Sequence, residues 1–118
     1  MKVSFNGLLD AVATFETRTT VNKGDLVMMT SSGIVASCSE GQAPIGIAVG
    51  VEDDGCVAVQ LKGYIEAEYT GISPTVGYGS VVAGTDSTKL AVAGDEETGA
   101  DVLIVTVDST NQIMGIIL

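Results

Sequence analysis

The sequence predicts an all-β fold, and three observations carry the prediction. Val, Ile and Thr fill 37 of the 118 positions, and branching at Cβ suits these residues to a pleated, half-buried strand. Gly supplies 15 more, enough to turn the chain many times. Apolar residues recur in short runs broken by turn sequences, and nothing holds the 3.6-residue period of a long helix.

The elements follow in order. Residues before Asn22 read as an arm, 1–22, ahead of a compact β domain, 23–118. Within the arm, Leu8, Leu9, Val12, Ala13 and Phe15 fit a short helical turn or an extended strand, and so short a run does not decide between them. Asn22-Lys23-Gly24-Asp25 is a turn, and the strands Leu26–Thr30 and Ile34–Ser37 flank Ser31-Ser32-Gly33 as a hairpin. After the Glu40-Gly41-Gln42 loop, Pro44–Val51 alternates Ile45, Ile47, Val49 and Val51 with Gly46, Ala48 and Gly50. The small face points to another backbone packed close against it.

Glu52-Asp53-Asp54-Gly55 ends in the Asp-Gly hairpin signal. Cys56–Lys62 then alternates Val57, Val59 and Leu61 with Ala58, Gln60 and Lys62, and Tyr64–Thr70 alternates Ile65, Ala67 and Tyr69 with Glu66 and Glu68. A loop over 71–79 leads to a hairpin, Ser80–Ala83 and Lys89–Ala93. The acidic loop Asp95–Gly99 follows, and then Val102–Val107 and Ile113–Leu118 are joined across Asp108–Gln112.

A weak internal repeat runs through this order. Gly24-Asp25-Leu26-Val27 with Ile34-Val35-Ala36 resembles Gly79-Ser80-Val81-Val82 with Leu90-Ala91-Val92. Two readings stay open: a duplicated unit of hairpin plus two strands, or chance similarity between short β patterns.

Composition narrows the chemistry. Five basic residues against 15 acidic ones give a net charge of −10, and there is no His or Trp. A phosphate-backbone binder needs clustered Lys and Arg, so nucleic acid is not expected as a partner. Without His there is no Ser-His-Asp triad and no His metal ligand. No window approaches the roughly 18 continuous apolar residues of a membrane span. The first residues lack a secretory core and cleavage site. Cys38 and Cys56 are too few for a disulfide framework and are expected as reduced, structural thiols.

Each local constellation favours a structural reading. Glu52-Asp53-Asp54 and Asp95-Glu96-Glu97 do not match a calcium loop and read as solvated turns. Glu66 and Glu68 share a strand face, but no aromatic cleft accompanies them. Lys62-Gly63 is followed at once by renewed alternation, unlike a carrier-domain lysine at a hairpin apex. Gly77-Tyr78-Gly79 precedes no helix and so makes no phosphate cradle. The chain is expected not to be an enzyme.

The longer order of motifs resembles a known family. Ala13-Thr14-Phe15-Glu16-Thr17 leads to Val21-Asn22-Lys23-Gly24-Asp25-Leu26-Val27, then Pro44-Ile45-Gly46-Ile47-Ala48-Val49 and Val57-Ala58-Val59-Gln60-Leu61-Lys62-Gly63-Tyr64. Tyr69-Thr70-Gly71, Pro74-Thr75-Val76-Gly77-Tyr78-Gly79 and Gly115-Ile116-Ile117-Leu118 complete it. This order is similar to the small capsid decoration (cement) proteins of tailed bacteriophages and prophages. The resemblance covers nearly the whole chain, through motifs that mark a β-rich module. It implies a small β-sandwich or barrel of β-clip or β-tulip type. It also implies a homotrimer on the exterior of the virion capsid, assembled in the host cytoplasm, bound to the major capsid protein, with no cofactor.

The charge distribution agrees in kind. Lys2, Arg18 and Lys23 against Asp10 and Glu16 leave the first 23 residues at +1, so residues 24–118 carry −11. An acidic body suits an outward face. The arm, with Phe5, Leu8, Leu9, Val12 and Phe15, suits docking by strand addition to a sheet edge of the capsid protein. On this reading removal of residues 1–20 leaves a folded domain that no longer binds. The alternative is an arm packed on its own domain as an edge strand. Other readings are a tail, baseplate or fibre accessory module, or a sugar- or peptide-binding β module, although a sugar site is poorly served by three Tyr and no Trp.

Overall fold

A computed structural model describes residues 10–52 and 54–118. Ten strands follow one another: β1 (Ala11–Thr17), β2 (Leu26–Ser31), β3 (Ile34–Ser37), β4 (Gly46–Val51), β5 (Cys56–Lys62), β6 (Tyr64–Tyr69), β7 (Gly77–Ala83), β8 (Lys89–Val92), β9 (Ala100–Asp108) and β10 (Ile113–Ile117). The described residues contain no helix. The expected all-β class holds, in the form of two small closed barrels, β1-β3-β2-β4-β5 and β6-β8-β7-β9-β10.

The two barrels repeat one another strand for strand. In each, the first strand runs parallel to the third and antiparallel to the fifth, and every other neighbour is antiparallel. One irregularity corresponds as well, while the register shifts of β1 on β5 and β2 on β3 have no counterpart in the second barrel. The β4 ladder skips Val49 opposite Val59 and Ala58, and the β9 ladder skips Val105 opposite Ile116 and Gly115. Such a bulge bends a strand and raises its twist, which a ring of only five strands needs in order to close.

The repeat suggested by the sequence is therefore an architectural one, but its register differs by one residue. Val27 pairs with Ser37 and Met29 with Val35, whereas Val81 pairs with Val92 and Ala83 with Leu90. Val27 thus corresponds to Val81 and Val35 to Leu90, all four fully buried. The sequence similarity instead sets Val27 against Val82. A slip of one residue exchanges the faces of a strand, and similarity of short β-branched runs does not detect it.

One expectation changes at the front of the chain, and in β4 the structure decides a face that the alternation left open. Residues 11–17 are a barrel strand, not part of a free arm. β1 pairs with β5 from Ala11 to Glu16 and with β3 at Glu16 and Thr17. The compact body begins at Ala11, ahead of the turn at Asn22, because β1 finds its partner far along the chain. In β4 the buried face is the small one. Gly46 and Ala48 point inward, while Val49 and Val51 are exposed. A Cβ on Gly46 would overlap the backbone carbonyl oxygen of Gln60 and lie 2.9 Å from Val59 Cγ1. The close backbone approach predicted from the small residues is present, and it occurs inside the barrel.

Each barrel has its own core, and one core crosses between them. Val21, Val27, Val35, Ala48, Val57 and Val59 fill the first, with Phe15, Ile45 and Leu61 against them. Ile65, Ala67, Tyr69, Val81, Leu90, Val102, Ile104, Met114 and Ile116 fill the second, and Leu26 and Cys38 reach into it from the first half. Asp25 ties the same boundary. Only 5% exposed, its Oδ2 accepts from Asn22 N–H at 2.9 Å and Ser37 Oγ at 2.8 Å, and its Oδ1 accepts from Ser87 Oγ at 3.2 Å. Leu26 N–H donates to Ser87 O at 2.7 Å alongside.

One residue separates β5 from β6. Gly63 holds φ +108, a region closed to most side chains. Gln60 Nε2 brackets it, donating to Lys62 O at 3.1 Å and Tyr64 O at 3.4 Å. That bond explains why Gln60, assigned by alternation to the polar face, is 9% exposed.

Candidate docking surface

The outward face of the molecule is acidic. Glu40, Glu52, Asp54, Glu66, Glu68, Asp86, Asp95, Glu96, Glu97, Asp101 and Asp108 are all exposed. Local hydrogen bonds fix some of this charge. The backbone N–H and hydroxyl of Thr88 hold the Asp86 carboxyl below the usual carboxylate range, and the side chain and backbone of Asn111 do the same for Asp108. Both groups favour the folded state above the ordinary carboxylate pKa, and that contribution is lost as the pH falls through their lowered values.

The carboxylate pair singled out by spacing is divided by its partners. Glu66 accepts from Tyr64 Oη at 2.9 Å, and Glu68 lies 3.7 Å from Lys89 Nζ. Tyr64 lies over Gly115, where a Cβ would meet both its hydroxyl and Thr106 Oγ1. Glu66, Ala67 and Glu68 border a cleft of about 310 Å³ with Gly24, Ile47, Thr88 and Ile113. Gly77-Tyr78-Gly79 lies at the start of β7, with Tyr78 88% exposed. Among the described residues no group of three His, Cys, Asp or Glu is placed to hold a metal ion.

Of the five proposed docking residues, Phe5, Leu8 and Leu9 lie outside the described residues. The structure separates the other two. Val12 points out from β1 and is 55% exposed, whereas Phe15 turns inward against the first core. Of the residues suggested by the sequence, Val12 alone among the described ones is exposed, on the outer surface of β1. Removing residues 1–20 would remove a barrel strand, so a clean deletion stops at Leu9.

Both thiols are free. Burial pushes Cys38 up to about 11. Cys56 is raised first by desolvation and then by Asp54, with Glu52 and Glu16 adding repulsion. Fewer thiolates at a given pH mean slower attack on a disulfide reagent. In the folded protein at pH 8, a thiol titration is expected to show Cys56 reacting slowly and Cys38 not at all. The Cys56 rate should climb above pH 9, and both should react fully in denaturant. Rapid modification of Cys38 in the folded state would contradict the burial assigned to it.

No protein-family model matches the sequence, and a search of curated proteins finds no match.

Proposed function

We propose that this protein is a structural virion component. It binds the outer surface of an expanded bacteriophage capsid as a homotrimer and reinforces the shell. The observation that carries this reading is the pairing of a rigid acidic body with an apolar leading segment. Two barrels locked through Asp25 and a shared core form a block of 40 × 35 × 22 Å, coated with carboxylates that repel nucleic acid. Residues 1–9, with Val3, Phe5, Leu8 and Leu9 and no acid, precede β1 in the sequence. Many weak copies on a symmetric lattice gain avidity without any single strong contact. The protein acts on the capsid exterior after assembly in the host cytoplasm, uses no cofactor, and its partner is the major capsid protein.

Co-sedimentation with expanded and immature capsids tests the reading. The full chain is expected to pellet with expanded particles in many copies and to stay in solution with immature ones. A variant lacking residues 1–9 is expected to keep the melting temperature of the full chain and lose the capsid. A full chain that ignores expanded capsids overturns the reading, and a truncated chain that binds as well overturns the role of the leading segment.

A further inference from the structure

The two barrels share one topology, yet their first strands differ in how the outer edge is treated. β1 and β6 each meet their parallel neighbour at only two rungs, Glu16–Ile34 and Thr17–Val35 in one, Glu68–Lys89 and Tyr69–Leu90 in the other. The earlier part of each strand is paired on one side alone among the described residues. In β6 that part, Tyr64–Ala67, carries the charge of Glu66 and borders the cleft lined by Gly24 and Ile47 of the other half. In β1 it is Ala11-Val12-Ala13-Thr14-Phe15, with no charge, no Pro and no Gly. Proteins blunt exposed edges with such residues because a bare edge is a template for another strand.

Two backbone bonds fix the hydrogen-bonding direction. Glu16 N–H donates to Gly33 O at 3.1 Å on the β3 side, and Thr17 N–H donates to Gly55 O at 2.8 Å on the other. Backbone groups alternate along a strand, so the N–H groups of Val12 and Thr14 share the outward direction of Glu16. The inner face beside this edge also carries a smaller side chain than its counterpart. Ala13 pairs with Val59 where Ile65 pairs with Ile116 in the second barrel. Ile65 is 7% exposed, whereas Ala13 is only half-buried.

The ends of the bare stretch say what would sit there. Asp10 and Glu16 bound it, and Arg18, itself largely exposed, stands 3.8 Å from Glu16. A second copy added antiparallel about Ala13 would set Asp10 of each chain against Glu16 of the other, and like charges directly opposite are unfavourable. We infer that the β1 edge accepts an extended segment of a different protein, with a large aliphatic residue beside Ala13 and Lys or Arg opposite Asp10 and Glu16. Backbone bonds from Val12 and Thr14 supply the attachment, the aliphatic side chain extends the first core, and the basic ends set register. This holds for any source of such a segment and does not depend on the capsid reading.

The test uses the full chain and a synthetic peptide, Lys-Val-Thr-Ile-Thr-Val-Lys, whose central Ile falls opposite Ala13, with a Glu-ended version as control. Amide hydrogen exchange is expected to show Val12 and Thr14 exchanging freely in the chain alone and slowing when the basic peptide is added. The preference over the acidic peptide should be about tenfold. The double variant Asp10→Lys, Glu16→Lys should reverse it. Thr14→Pro, which removes an outward N–H from an edge strand, should abolish binding, with the melting temperature reporting that the barrel is intact. Binding of both peptides alike, binding that leaves the Val12 and Thr14 amides unchanged, or no binding overturns the inference. So does protection of those amides in the chain alone, which would mean that its own first residues already occupy the edge.

Discussion

Replacing Gly46 by alanine is expected to cost about 3 kcal/mol, and urea unfolding should show it as a lowered midpoint with an unchanged slope. The added Cβ has nowhere to go. It would overlap the Gln60 carbonyl oxygen, which belongs to the β5 backbone and cannot rotate away as a side chain could, and Val59 Cγ1 stands 2.9 Å off. Relief requires β4 and β5 to separate where they close the first barrel. Gly50, four residues on in the same strand, is the internal control. A Cβ there would meet only Ala58 Cβ at 3.9 Å, an ordinary contact, and alanine has less conformational freedom to lose on folding. Gly50→Ala is expected to be neutral or stabilising by up to about 1 kcal/mol. Equal effects at the two positions would show that the loss of glycine, and not the crowding at Gly46, decides the outcome.

Asp25→Ala is expected to destabilise by about 3 to 5 kcal/mol. The substitution removes a buried carboxylate that satisfies three donors, and leaves Asn22 N–H, Ser37 Oγ and Ser87 Oγ without it. Because Ser87 lies in the second half, part of that loss is coupling between barrels. Ser37→Ala and Ser87→Ala should each cost about 1 kcal/mol. A double-mutant cycle between Asp25 and Ser87 should return an interaction energy above about 0.5 kcal/mol. Calorimetry of the variant is expected to keep a single transition, since Leu26 and Cys38 still bury themselves in the second core. Two separate transitions would mean that Asp25 alone holds the halves together.

Much of the strand order was readable because local chemistry writes it. Ser32-Gly33 and Asp54-Gly55 announce their hairpins, with Gly33 at φ +72 and Gly55 at +80. Glu66 and Glu68 against Ile65, Ala67 and Tyr69 announce which side of β6 is wet. What escaped is non-local. β1 looked like an arm because its pairing partner, β5, starts at Cys56, and nothing near Ala11 signals that pairing. The alternation in β4 left its inner face open, because size, not hydrophobicity, decides it. Valines are the better core residues in general, but the space beside Gln60 admits only glycine. Asp25 resembled a turn residue, and its bond to Ser87 spans 62 positions. Of the docking surface, Val12 was recognisable from its apolarity, while the open edge it lies on required knowledge of which strands lie beside β1.

Gly63 has a consequence for how the molecule bears load. Leu118 N–H donates to Gly63 O at 3.0 Å, and the Asp10 carboxylate lies against the Gly63 α-carbon. The described chain is nearly a closed circuit, starting and finishing at the residue where one barrel hands over to the other. Tension applied through residues before Asp10, or through a peptide attached after Leu118, enters at that junction. It is then divided between two rings of mostly antiparallel ladders, instead of peeling one terminal strand from one end.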